Sequence, residues 1–105
     1  MDAVFKALAD ATRRRLLDRL HAEAGQTLGD LCARVDMTRQ AVSKHLAVLE
    51  EAGVVVTVRR GREKLHYLNP APIHAISERW IGKFERARVH ALADLKKRLE
   101  DRDDE

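Results

Sequence analysis

Gly53 divides the chain between two periodicities. Upstream of it, apolar residues return every three or four positions, the interval that lines one face of an α-helix. Immediately downstream, Val54, Val55, Val56, Thr57 and Val58 form a run of strand length that is rich in β-branched side chains. A chain with that boundary has to pack helices against a small sheet. Its 105 residues suffice for one hydrophobic core and not for two of ordinary size, so a single domain over residues 1–105 is expected.

Punctuation residues place the elements. Residues 2–24 predict two helices, with Val4, Phe5 and Leu8 as the first apolar stripe and Leu16, Leu17 and Leu20 as the second; Asp10 or Thr12 is placed to cap the second helix and Gly25 to close it. Thr27 opens a short third helix carrying Leu28, Leu31, Cys32 and Val35. Asp36 and Met37 make a tight break, and Thr38 caps a fourth helix that runs to about Ala52. Two helices joined by so short a turn form a helix-turn-helix.

Beyond Gly53, Arg60-Gly61-Arg62 supplies a turn and Leu65, His66, Tyr67 and Leu68 the returning strand of a hairpin. Asn69-Pro70-Ala71-Pro72 ends it and starts a long helix to about Leu99, whose stripe is Ile73, Ile76, Trp80, Phe84, Ala87, Ala91, Leu95 and Leu99. Residues 100–105 read as a frayed acidic tail. The fold class expected is mainly α with a small β-hairpin: a winged helix-turn-helix with a long C-terminal helix.

Charge placement says more than net charge. The formal charge is +3, but the tail holds five acids and Arg102; without it, 19 Lys and Arg stand against 12 Asp and Glu, a balance of +7. On a wheel of about 100° per residue, Val42, Leu46 and Leu49 of the fourth helix form a core face. The opposite arc holds Arg39, Gln40, Ser43, Lys44, Ala47, Glu50 and Glu51, with cations and amides in the first two turns and acids in the last. A helix entering the major groove by its N-terminal end presents such residues to base edges and its positive dipole end to phosphates. Arg39 can pair bidentately with guanine and Gln40 with adenine, while Ser43 and Lys44 suit a base edge or a phosphate, and small Ala47 permits close approach. His45 falls on the apolar side between Ala41 and Leu49, at the core edge, with one ring nitrogen free for a phosphate or a carbonyl.

The hairpin carries Arg59, Arg60, Arg62 and Lys64 against a single acid, Glu63. Four cations on a thin hairpin repel one another unless an anion lies between them, and a sugar-phosphate backbone supplies one. The nucleic-acid candidates are therefore Thr38, Arg39, Gln40, Ser43, Lys44, His45, Arg59, Arg60, Arg62 and Lys64, within a DNA-binding core over residues 10–68. The partner expected is a double-stranded DNA operator.

Other classes fare worse. A nucleophile paired with a base, a Gly-rich phosphate loop and a metal triad are all lacking at recognisable spacing, which argues against an enzyme. A lone Cys32 excludes an internal disulfide framework, and neither a membrane-spanning run nor a signal peptide is legible, so a cytoplasmic protein without membrane contact is expected. A winged-helix module redeployed for protein contact stays open as an alternative.

Phe5-Lys6-Ala7-Leu8-Ala9-Asp10, Thr12-Arg13-Arg14-Arg15-Leu16-Leu17, and Thr38 to Leu46 with Leu49 and Gly53 resemble the ArsR/SmtB family of bacterial repressors; the Arg60-Gly61-Arg62 tip and Tyr67-Leu68 fit the same pattern. The resemblance covers about residues 3–70. It implies a homodimer whose first and last helices, here 1–9 and 70–99, form the interface through Val4, Phe5, Leu8, Ile73, Ile76, Trp80, Phe84, Ala87, Ala91 and Leu95. It also implies repression released by a signal.

Many such repressors sense metals, and here the departures matter. The family's Cys-x-Cys would fall on Thr27 and Gly29, neither of which is a thiolate, and its carboxylate-histidine site would fall near Asn69, Pro70 and Pro72. His74 and His90 on one continuous helix stand about 160° apart, and only a site across a dimer, with Asp94, would join them. No metal and no cofactor is expected, with a metal- or ligand-responsive repressor using an atypical site as the alternative.

Overall fold

The computed structural model describes residues 1–82 and 86–103. In chain order the elements are α1 (Asp2–Leu8), α2 (Ala11–Ala22), α3 (Leu28–Cys32), α4 (Arg39–Glu51), β1 (Val55–Arg60), β2 (Glu63–Leu68), α5 (Ala71–Trp80) and α6 (Arg86–Asp103). They fall into two compact units, Met1–His74 and Ala75–Glu105. The mainly helical class with one antiparallel hairpin is as the sequence predicts.

Each helix of the first unit begins where a side chain takes over its orphan N–H groups. Asp10 accepts from the backbone N–H groups of Thr12 at 2.8 Å and Arg13 at 3.1 Å, and the Arg13 bond is the chief reason its carboxyl titrates below the usual carboxylate range. Thr27 and Asp30 exchange bonds in a capping box, at 3.1 and 3.0 Å. Thr38 accepts from the Ala41 N–H at 3.1 Å.

Gly53 ends α4 as its position implies. At φ 77° it lets its own N–H reach the Glu50 carbonyl at 3.0 Å and the Val54 N–H reach the Leu49 carbonyl at 3.1 Å, the paired bonds of a Schellman closure. Val54 then leads into β1. That strand pairs with β2 in the register Val55↔Leu68 to Arg60↔Glu63, and Gly61, at φ 64°, takes the first position of the two-residue turn.

The core of this unit is aliphatic. Val4, Ala7, Leu16, Leu17, Leu20, Leu31, Val42, Leu46, Leu49, Val54 and Val55 are buried. Val4 was expected at a subunit interface; it is instead 6% exposed, because it faces its own core, and of the α1 stripe it is Phe5 that remains exposed and Leu8 half-buried.

The structure differs from the expected elements at three more points. α2 stops at Ala22, where Glu23 adopts an extended conformation, so Gly25 does not close it; Gly25 uses φ 77° to turn the chain toward β2, donating to the His66 carbonyl at 2.9 Å. α3 stops at Cys32, since Arg34 N–H bonds back only three residues to Leu31, leaving Val35 in the turn. The long C-terminal helix is divided: α5 ends at Trp80, Ile81 and Gly82 form a turn, and α6 continues to Asp103, four residues past the expected stop. A Cβ at Gly82 would lie 2.7 Å from the Glu78 carbonyl oxygen, so only glycine fits this tightened turn. Phe84 and the side chain of Ala87 lie outside the described residues.

One pairing was not legible beforehand. Gln26 bridges His66, so a single residue acts as a third strand: the His66 N–H donates to the Gln26 carbonyl at 2.8 Å and its ring Nδ1 to the same oxygen at 2.9 Å. The Gln26 amide donates to the carbonyls of Arg19 at 2.9 Å and Glu23 at 2.7 Å, closing α2. Both residues are buried.

Leu49 is fully buried on the core face of α4. Leu49→Ala should lower stability by about 3 kcal/mol through lost burial and a residual cavity, measured as a drop in urea midpoint at unchanged slope.

Candidate nucleic-acid interface

α4 presents two faces because its apolar residues obey one period and its polar residues occupy the remainder. With Val42, Leu46 and Leu49 buried, Arg39, Gln40, Ser43, Lys44 and Ala47 are left exposed along one contiguous arc that runs from the flank of the core face to the outer side. The arc read from the sequence is thus one surface. Thr38 is exposed at its head; its oxygen is committed to the cap, which leaves its hydroxyl proton free to donate.

Between this arc and the hairpin lies a groove of about 510 Å³, lined among others by Thr27, Gly29, Arg39, Ser43, Arg62 and Lys64. The groove brings hydroxyls and cations from the cap of α3, from α4 and from the hairpin to one place, together with Glu50 and Glu63. Arg59, Arg60 and Arg62 are exposed on the hairpin, where Arg60 faces Glu63 across the ladder.

Two sequence-assigned candidates behave differently. Lys64 does not project freely: its Nζ is 3.1 Å from Glu50 Oε1, so it ties the hairpin to the last turn of α4. Glu50, one of the acids of the last turn, serves as the hairpin's tether on the flank of α4 that it shares with Arg39. His45 is half-buried, with Nδ1 3.4 Å from Arg13 Nη1. Neither contact leaves a periodic trace in the sequence.

Asn69, which the sequence places at the end of the hairpin, makes three hydrogen bonds there. Its Nδ2 donates to the Gly53 carbonyl at 2.9 Å, its backbone N–H to Val54 at 2.8 Å, and its Oδ1 accepts from Ala71 at 3.3 Å. It therefore clasps the base of the hairpin to the end of α4.

The metal-sensing positions of the resembling family do not fit a metal here. Thr27 is engaged in its capping box, Gly29 has no side chain, and Cys32 is a half-buried free thiol. Among the described residues no three His, Cys, Asp or Glu side chains come together. Because α5 and α6 are separate helices, the 160° separation of His74 and His90 on one axis no longer applies. No helix among the described residues is long and apolar enough to cross a membrane.

A helix-turn-helix domain family model matches residues 8–58. The HTH-type transcriptional regulator YuzN of Bacillus subtilis is 42% identical over 86 residues, covering 76% of this chain and 94% of that one. The transcriptional repressor SdpR, also of Bacillus subtilis, is 36% identical over 84 residues, covering 80% and 91%. Among solved structures, an ArsR-like transcriptional regulator from Rhodococcus sp. RHA1 superposes with a TM-score of 0.72 at 32% identity, over 95% of this chain and 90% of that one.

The Glu50–Lys64 pair gives a measurable outcome on double-stranded DNA. Glu50→Gln releases Lys64 toward the phosphates and should steepen the dependence of log affinity on log salt by about 0.9, one phosphate's worth. Fluorescence anisotropy over a salt series reads it, and an unchanged slope would show that Lys64 stays off the backbone even when freed.

Proposed function

The chain belongs to the ArsR family of DNA-binding transcriptional regulators, and from that premise we propose that it is a repressor, non-enzymatic and cytoplasmic, that binds an operator as a homodimer. The observation that carries this reading is the exposed arc of Arg39, Gln40, Ser43 and Lys44 on a helix whose other face is fully buried, beside a hairpin tipped with Arg59, Arg60 and Arg62.

The two parts divide the labour. In the major groove, Arg39 and Gln40 match the donor and acceptor patterns of guanine and adenine, and Ser43 and Lys44 add a base edge or a phosphate. Wing guanidiniums neutralise phosphates, which sets affinity and register without reading sequence. The name of SdpR supports repression as the direction of control.

The apolar residues left exposed support the dimer. Leu92, Leu95 and Leu99 are exposed on α6 at spacings of three and four, as are Phe5 on α1 and Trp80 on α5. A helix stripe of this kind is buried economically against its own copy about a two-fold axis. Ala91 lies beside Leu92 and Leu95 in the same shallow apolar depression, and Ile73 and Ile76 are half-buried on α5. Release of the operator does not use the family's thiolate site, whose positions are Thr27 and Gly29.

Arg39→Ala should relax base preference at one operator position by about 1–3 kcal/mol while leaving the salt slope nearly intact, and Arg62→Ala should flatten the slope by about 0.9 with preferences intact. Equal effects from both would remove the division between helix and wing. Leu95→Glu should convert the dimer to monomer in sedimentation velocity and weaken binding to a two-half-site duplex at least tenfold. A Leu95→Glu protein that sediments as the wild type would place the interface elsewhere.

A further inference from the structure

Arg13 is a cation 15% exposed at its side chain, and its donors are spent on two helices. Its Nε donates to the Ala7 carbonyl at 2.9 Å and its Nη2 to the Lys6 carbonyl at 2.8 Å. These are carbonyls of the last turn of α1, where i→i+4 donors run out, the Lys6 oxygen also accepting from the Ala9 N–H at 3.3 Å, and where a positive charge is favoured. Arg14 takes the next one, Leu8, at 2.6 Å. The remaining Arg13 nitrogen, Nη1, is 3.4 Å from Nδ1 of His45 on α4, and 4.0 Å from Asp10 Oδ2.

Chemistry fixes the direction of the His45 contact. A guanidinium only donates, so Nδ1 accepts and the ring proton belongs on Nε2. Geometry fixes the side. His45 precedes Ala47 by two residues, which puts it about 160° around the helix from the middle of the reading arc. Its ring serves the flank of α4 that faces α1 and α2, while the opposite flank is held by Glu50 to the wing.

We propose that Arg13 and His45 form a positioning joint that sets the recognition helix against α1, so that His45 governs the spacing of the two reading helices in the dimer and does not itself touch DNA. This rests on the dimeric DNA-binding reading above. α1 carries the exposed Phe5 of the proposed interface, α4 carries the bases' readers, and one guanidinium bonds to both.

The experiment has two arms. In the free, full-length protein labelled with ¹⁵N-histidine, two-bond proton-nitrogen correlation at about pH 8, where an ordinary imidazole is neutral, should show His45 as the Nε2–H tautomer. A ring protonated at Nδ1 overturns the joint. In the second arm the wild-type protein enriches duplexes from a randomised library, and the half-sites of a winning duplex are then moved apart or together by one and two base pairs.

His45→Phe should bind the winning duplex about tenfold more weakly, lose its preferred spacing and keep the wild-type salt slope. His45→Asn, whose Oδ1 can accept from Arg13, should restore affinity to within about threefold. Lys44→Ala serves as the contrast, flattening the slope by about 0.9 with spacing preference intact. A flattened slope in His45→Phe means a phosphate contact and overturns the proposal, as does wild-type affinity and spacing. If the wild type enriches no duplex, it is the DNA-binding reading that fails, and the tautomer of the free protein reports separately on the contact.

Discussion

Gln26 fastens the hairpin to the helical body through His66. A two-stranded hairpin is marginal in water by itself, and the outer face of this one leaves Val56 and Val58 exposed, 44% and 52%. What it has instead is His66, buried on its inner face and bonded through backbone and ring to the Gln26 carbonyl, while the Gln26 amide closes α2. One residue thus completes a helix end and a sheet edge together. The pairing helps to order the hairpin that carries Arg59, Arg60 and Arg62, so the phosphate contacts proposed for them start from an ordered backbone.

Three other contacts extend the same logic around α4. Asn69 clasps the hairpin base to the helix end, Lys64 reaches Glu50 from the wing, and Arg13 reaches His45 from the opposite side. α4 is held at its N-terminus by its own cap, at its C-terminus by Gly53 and Asn69, and on both flanks by a cation. Surface ion pairs contribute little to stability, so the value of Glu50 and Lys64 lies in orientation.

The elements that obey a local rule were legible in the sequence. α4 was readable because Thr38, the Val42-Leu46-Leu49 stripe and Gly53 are consecutive signals within one segment, and the hairpin because β-branched residues flank Arg60-Gly61-Arg62. The arc of Arg39, Gln40, Ser43 and Lys44 followed from the same wheel. What escaped was tertiary: Gln26 meets His66 and Arg13 meets His45 across long stretches of chain, and Lys64 turned from a free cation into a tether, with no periodicity to announce any of them. Val4 was misassigned because an apolar stripe does not say which neighbour will cover it. The division between α5 and α6 had one cue, Gly82, which the unbroken step from Ile76 to Trp80 to Phe84 concealed.

At the far end of the hairpin, a Cβ added to Gly61 would meet nothing within 4 Å. The constraint there is the positive φ alone, with no neighbour to displace. Residues can therefore be gained or lost at this tip without disturbing Gln26, His66 or the exposed arc of α4, since lengthening an exposed loop costs little. The hairpin tip is thus uncoupled from the packing that holds α4: a change of length or charge at Gly61 meets no side chain of the helical body.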